Sequence, residues 1–160
     1  MREPKRTPAG EAMTPLILDL LRLNGLILTS GDRLVAALGL TSARWQILGA
    51  IDAAERPQPV AWLARDIGGN RQNVQRIVND LHRDGLVRFE PNPHHRRAHL
   101  VVMTEKGREA FAAAMNLQTP WVNHLTEGLT ADEIGSVRRI VAALRERLDH
   151  GREADAANVS

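Results

Sequence analysis

The 160-residue sequence predicts a mainly α fold, a winged helix-turn-helix with a two-stranded β wing and with N- and C-terminal dimerisation helices. Three observations predict it. Apolar residues recur at spacings of three and four along most of the chain, the period of helices packed on one face. Between Leu86 and Met103 that period gives way to two short runs rich in Val, Leu and Phe around a Pro/Asn loop, the pattern of a hairpin. Two helical stretches joined by Gly68-Gly69 stand directly before the hairpin.

Each element has its own signal. Residues 1–13 carry Pro4, Pro8 and Gly10 among polar neighbours and read as a flexible arm. Thr14 and Pro15 read as an N-cap and a first helical proline, opening a helix to about Ala37. Nine of the thirteen residues from Leu16 to Leu28 are Leu or Ile, more than one core-facing stripe requires, so a second subunit is the expected cover. The run is short for a bilayer and holds Asp19 and Arg22, so no membrane association and a cytoplasmic location are expected. Thr41 caps a second helix with Trp45, Ile47, Leu48 and Ile51, and Arg56-Pro57-Gln58-Pro59 breaks it.

A short helix follows with Val60, Leu63, Ala64 and Ile67 at helical spacing. Asn70 caps the next, which runs to about Arg83 and stops at Gly85. Leu86–Glu90 and Ala98–Met103 read as strands, with 91–97 as their loop. Thr104 caps a helix from about Glu105 to about Gln118, which Pro120 kinks or ends. Thr130 and Glu133 have capping-box spacing. Ile134, Val137, Val141, Leu144 and Leu148 then form a narrow seam, and 151–160 reads as a tail.

Charge locates the chemistry. The net charge is only +2, from 21 Lys and Arg against 19 Asp and Glu. From Arg65 to Arg108, however, nine cations face five anions, a local +4, which leaves −2 for the remainder. Nineteen of the cations are arginine, whose planar fork suits phosphate and guanine. In the helix after Asn70, Val74, Ile77, Val78 and Leu81 share one stripe. The remaining face carries Arg71, Gln72, Asn73, Gln75 and Arg76, with no acid in its N-terminal half. Arg, Gln and Asn are the side chains that read base edges bidentately.

The stretches LARDIGGNRQNVQRIVNDLHRDGLV and NPHHRRAHLVVMTEKG resemble the MarR (multiple antibiotic resistance regulator) family, and the likeness extends over nearly the whole chain. The resemblance implies a homodimeric transcription regulator on double-stranded DNA with a pseudo-palindromic operator, a repressor relieved by a small-molecule effector. One domain would span 14–150, with 41–103 binding DNA and 14–40 and 104–150 dimerising. Arg71, Gln72, Asn73, Gln75 and Arg76 would read bases, Asn79, Arg83 and Arg96 would hold phosphates, and Arg97 would enter the minor groove. An effector pocket would draw on Asn24, Arg44, Trp45 and Met115. The family's usual acid ahead of the arginine pair is His95 in this chain, and Asn92 stands where another acid is common, which predicts a less firmly braced wing.

Other classes fit less of the sequence. There are no cysteines, so disulfides and thiol sensing are excluded. No phosphate loop, paired-carboxylate motif or nucleophile elbow appears, so no enzyme and no cofactor are expected. His94, His95 and His99 offer a metal-dependent regulator, but Glu90 is the one carboxylate near them, so no metal site is expected. A winged helix that binds proteins instead of DNA is disfavoured by the +4 segment.

Overall fold

The computed structural model describes residues 5–157, and side chains through His150. It consists of helices α1 (Pro8–Val35), α2 (Ser42–Ala53), α3 (Val60–Asp66), α4 (Arg71–Arg83), α5 (Glu105–Leu125) and α6 (Ala131–Ala157), with strands β1 (Gln58–Pro59), β2 (Val87–Glu90) and β3 (Leu100–Met103). A single 3-10 turn, Ala36–Leu38, follows α1. The chain divides into two compact units at Gln118/Thr119.

In the first unit, the core is drawn entirely from residues between Val35 and Ala114. Ile47 and Leu48 of α2, Leu63 of α3, Val74, Val78 and Leu81 of α4, Val87 of β2 and Val101 of β3 are sealed from solvent. Burying such side chains supplies about 1.5–3 kcal/mol each. The sheet has the order β1-β3-β2 and is antiparallel throughout, with Phe89 opposite Val101 and Gln58 also opposite Val101 on the other edge. The two wing strands are as expected, slightly shorter at their starts. The two-residue β1 is an addition: Gln58-Pro59, a helix breaker by composition, extends far enough to pair with β3.

Helix ends follow local chemistry. Gly85 takes φ +76, its N–H donates to the His82 carbonyl at 3.0 Å, and Leu86 N–H donates to the Leu81 carbonyl at 2.9 Å. This pair of bonds is a Schellman cap and requires the left-handed residue that glycine supplies most cheaply. Gly68 at φ +65 ends α3 in the same way. The start of α5 is fastened onto this cap. Thr104 Oγ1 donates to the Gly85 carbonyl at 2.7 Å and accepts from Gly107 N–H at 3.1 Å, while Lys106 Nζ donates to the Asp84 carbonyl at 2.9 Å. Gly107 rests against the Leu86 carbonyl, where a Cβ would overlap it.

Three expectations are corrected. The arm is shorter, because α1 begins at Pro8, not Pro15: Thr7 accepts from Gly10 N–H at 3.1 Å, and Thr7-Pro8 supplies the same cap-and-proline signal as Thr14-Pro15 one heptad earlier. Residues 1–4 of that arm lie outside the described residues. Pro120 does not end α5, which continues to Leu125. The final helix extends through Ala157 where a tail was expected, and 158–160 lie outside the described residues.

Much of the apolar surface of α1 is exposed. Leu16, Ile17, Leu18, Leu21, Leu23, Leu26 and Ile27 are all exposed, Leu26 at 69%. By length and composition alone, Pro8–Leu38 is long and apolar enough to cross a membrane, contrary to the sequence reading. Asp19 and Arg22 interrupt the same stretch and face each other at 3.6 Å.

In the second unit, α6 opens with the expected capping box. Glu133 Oε2 accepts from Thr130 N–H at 2.8 Å and Glu133 N–H donates to Thr130 Oγ1 at 3.2 Å. The Thr130 N–H, and the Thr130 hydroxyl that also donates to Glu133 Oε2 at 2.8 Å, hold the Glu133 carboxyl below its usual range. Along the seam, Ile134, Val141 and Leu144 are half-buried and Val137 and Leu148 are exposed.

Candidate nucleic-acid interface

The interface is built on α4. Asn70 Oδ1 accepts from the N–H groups of Gln72 and Asn73 at 2.9 and 3.2 Å, satisfying two of the donors that open the helix. Val74, Ile77, Val78 and Leu81 are buried as the stripe requires. Arg71, Gln72, Asn73, Arg76 and Asn79 are exposed, and Gln75 is half-buried. Two bonds order this polar face: Arg76 donates to Asn73 Oδ1 at 2.8 Å, and Gln75 Nε2 donates to Asn79 Oδ1 at 2.9 Å.

Beyond α4 stands the wing loop. Asn92 Nδ2 donates across the loop to the Ala98 carbonyl at 2.9 Å, and Asn92 Oδ1 accepts from His94 N–H at 3.0 Å. The main chain adds His95 N–H to Asn92 O and Ala98 N–H to His95 O. Without the family's acids, then, an amide ties the loop with two bonds. The sequence marks Asn92 as part of a turn and as the replacement of a bracing acid, not as a tie across the loop. An Asn whose side chain accepts two residues ahead is the Asx-turn signature that could have revealed this tie.

Between α3, α4 and the wing lies an open hollow of about 960 Å³. Arg71, Gln75 and Asn79 border it from α4, and His94, His95, Arg97 and His99 from the wing. Its lining includes Arg56 as a third arginine and no Asp or Glu. Phe89 floors it between His82 and His99, with ring centroids 4.9 and 6.2 Å away.

The arginines divide by their partners. Arg83 faces Asp80 at 3.1 Å and Asp84 at 3.5 Å, Arg88 faces Glu90 at 2.7 Å, and Arg108 faces Glu105 at 2.7 Å. Arg71, Arg96 and Arg97 have no ion pair among the described residues. An exposed arginine held by no carboxylate leaves its full charge and fork for an outside anion.

This order of elements has a counterpart among known proteins. The profile of the MarR family matches residues 38–98, from the end of the 3-10 turn through α4 and the wing arginines. The chain belongs to the MarR family. It is similar to an uncharacterised protein of Mycobacterium tuberculosis, 36% identical over 140 residues that cover 85% of this chain and 96% of that one. It is also similar to the transcriptional activatory protein BadR of Rhodopseudomonas palustris, 37% identical over 84 residues, 51% of this chain and 48% of BadR. Among solved structures, the transcriptional repressor CouR bound to a 23-mer DNA duplex aligns with a TM-score of 0.73 and 27% identity, covering 88% of this chain and 99% of CouR. This MarR-family chain is thus a winged-helix transcription regulator, not an enzyme.

The residues considered for an effector are distributed differently from the DNA face. Asn24 is exposed on α1, Met115 is exposed on α5, and Trp45 is half-buried against the winged-helix core. Arg44 is already engaged: it donates to the Gly39 carbonyl at 2.8 Å and pairs with Asp84. The hollow beside α4 is lined by none of these four residues. Among the described residues, no three His, Asp or Glu side chains cluster so as to hold a metal ion.

Proposed function

We propose that this MarR-family regulator binds double-stranded DNA as a homodimer and represses transcription until a small ligand relieves it. The observation that carries the DNA reading is the acid-free hollow shared by Arg71 and Arg97, next to a helix face of Arg, Gln and Asn. Arg71, Gln72, Asn73, Gln75 and Arg76 read base edges in the major groove. Asn79, Arg83 and Arg96 hold phosphates, with Arg83 exchanging its exposed carboxylate partners for the backbone. Arg97 enters the adjacent minor groove.

The seven exposed Leu and Ile side chains of α1 support the dimer. Covering the exposed part of each stabilises by about 1 kcal/mol, a sum of several kcal/mol that a second subunit would collect. A two-fold axis then spaces the two α4 helices about 34 Å apart, one turn of DNA. Repression accords with CouR, a transcriptional repressor, whereas BadR is a transcriptional activatory protein. The experiment is sedimentation of the full chain alone and with a duplex it selects from a randomised pool, paired with a promoter–reporter assay. A 2:1 protein–duplex complex and a silenced reporter are expected. A monomer on DNA refutes the dimer, and a stimulated reporter refutes repression.

A further inference from the structure

From Leu28 to Ala114 the surface carries just one exposed large apolar side chain among the described residues, Trp62. All others lie on α1 or from Met115 onward. Trp62 is 58% exposed and sits off the α3 stripe of Val60, Leu63 and Ala64 that enters the core. The fold therefore does not call for an indole at this position. Its N–H has no hydrogen bond among the described residues. It also has a defined place: Trp62 borders the acid-free hollow together with Arg71, Gln75, Asn79 and Arg97.

The DNA arrangement proposed above makes that place meaningful. With α4 in the major groove and Arg97 in the neighbouring minor groove, the sugar-phosphate strand separating the two grooves must cross between them. That crossing runs over the hollow. An indole suits such a site, because its ring covers apolar deoxyribose while its N–H donates to an anionic oxygen. We propose that Trp62 is a DNA-positioning residue, with its ring against deoxyribose and its N–H on a phosphate of the crossing strand. This rests on the DNA reading of the same face.

The contact has a signature that an arginine lacks. Trp62 is neutral, so it releases no counterion, and its loss lowers affinity by the same factor at every salt concentration. The test is fluorescence anisotropy of the full chain on a selected duplex of roughly 30 base pairs, about three helical turns, across a salt series. Trp62→Ala is expected to bind about ten-fold more weakly with an unchanged salt slope, the loss of one hydrogen bond to a charged group. Trp62→Phe, which keeps a ring and lacks the N–H, is expected between the two. Both should melt at the parental temperature, which separates a lost contact from a lost fold. If Trp62→Ala binds like the parent while Arg97→Ala is weaker with a shallower slope, the Trp62 contact is wrong and the DNA reading stands. If the parent binds no duplex at all, both fall.

Discussion

Arg44, in the first turn of α2, is paired with Asp84, the residue that caps the end of α4 forty positions later. The same guanidinium donates to the Gly39 carbonyl, so one side chain, 17% exposed, fastens three segments. The hydrogen bond from Arg44 holds the Asp84 carboxyl below its usual range, the charges of Arg44 and Arg83 add to this, and partial burial opposes it. A depressed carboxylate pKa stabilises the fold above the unfolded value and ceases to do so as pH falls through the folded value. Asp84→Asn is therefore expected to melt below the parent at neutral pH. The gap should hold above about pH 5 and close only as pH falls from the ordinary carboxylate range, about 4, through the lower folded value of Asp84. Thermal melts of both proteins across that range check it. A gap that persists unchanged in acid would assign the effect to something other than the ion pair.

Gly107 offers a steric test of the same junction. A Cβ there would overlap the Leu86 carbonyl and stand 2.7 Å from Met103 Cγ, both part of the wing's base. Backbone cannot move aside as a side-chain tip can. Gly107→Ala is expected to destabilise by about 3 kcal/mol or more, in the range of severe overpacking. Chemical denaturation measures it, and a loss under about 0.5 kcal/mol, the scale of an ordinary surface substitution, would mean that α5 shifts freely on the cap.

How much of this was legible beforehand depends on whether the deciding forces were local. The Asn70 cap, the buried stripe of α4, the Gly68 and Gly85 turns and the Thr130/Glu133 box each depend on residues no more than seven positions apart, and each was read correctly. Thr104 was legible as a helix cap and Thr104 through Gly107 as part of a family stretch, but their contact with Asp84, Gly85 and Leu86 is tertiary. The start at Pro15 and the stop near Gln118 were misread because a proline forfeits one hydrogen bond, a local cost of about 3 kcal/mol that a long helix can absorb. Strand β1 was missed because two residues show no period; β3 alone makes them a strand. At the candidate site, chemistry was legible and part of the pairing was local: the carboxylates that hold Arg83, Asp80 and Asp84, stand three positions before it and one after, whereas Arg97 has no ion pair among the described residues.

Asn92 should matter through its amide N–H. Replacing it with Asp keeps the acceptor for His94 N–H and removes the donor to the Ala98 carbonyl. Asn92→Asp is expected to speed amide exchange across 92–98 and to weaken duplex binding about ten-fold, part of it from charge repulsion. Asn92→Ala separates the two effects, since it loses the tie without adding charge. Unchanged exchange in both variants would show that the main-chain bonds alone hold the loop.

Arg76 and Arg97 should fail differently. Arg76→Ala is expected to cost ~1–3 kcal/mol and to blur preference at one base pair per half-site. Equal weakening on selected and random duplexes would reduce Arg76 to a phosphate contact. Arg97→Ala should lose most on duplexes with A·T-rich flanks, whose narrow minor groove concentrates negative potential. An unaltered titration on such flanks would take the wing out of the minor groove.

The central claim is that the +4 winged segment is a DNA-reading surface. The most direct measurement is the affinity of the full chain for a selected duplex and for a scrambled one between 50 and 200 mM salt, a range over which several phosphate contacts change affinity by orders of magnitude. The account predicts a linear fall of log K with log salt, with a slope of about −3.5 or steeper from about four arginine–phosphate contacts, Arg83 and Arg96 on each of two heads, and tighter binding to the selected duplex. A flat salt response, or no binding to either duplex, would contradict it and leave the winged helix as a protein-binding module.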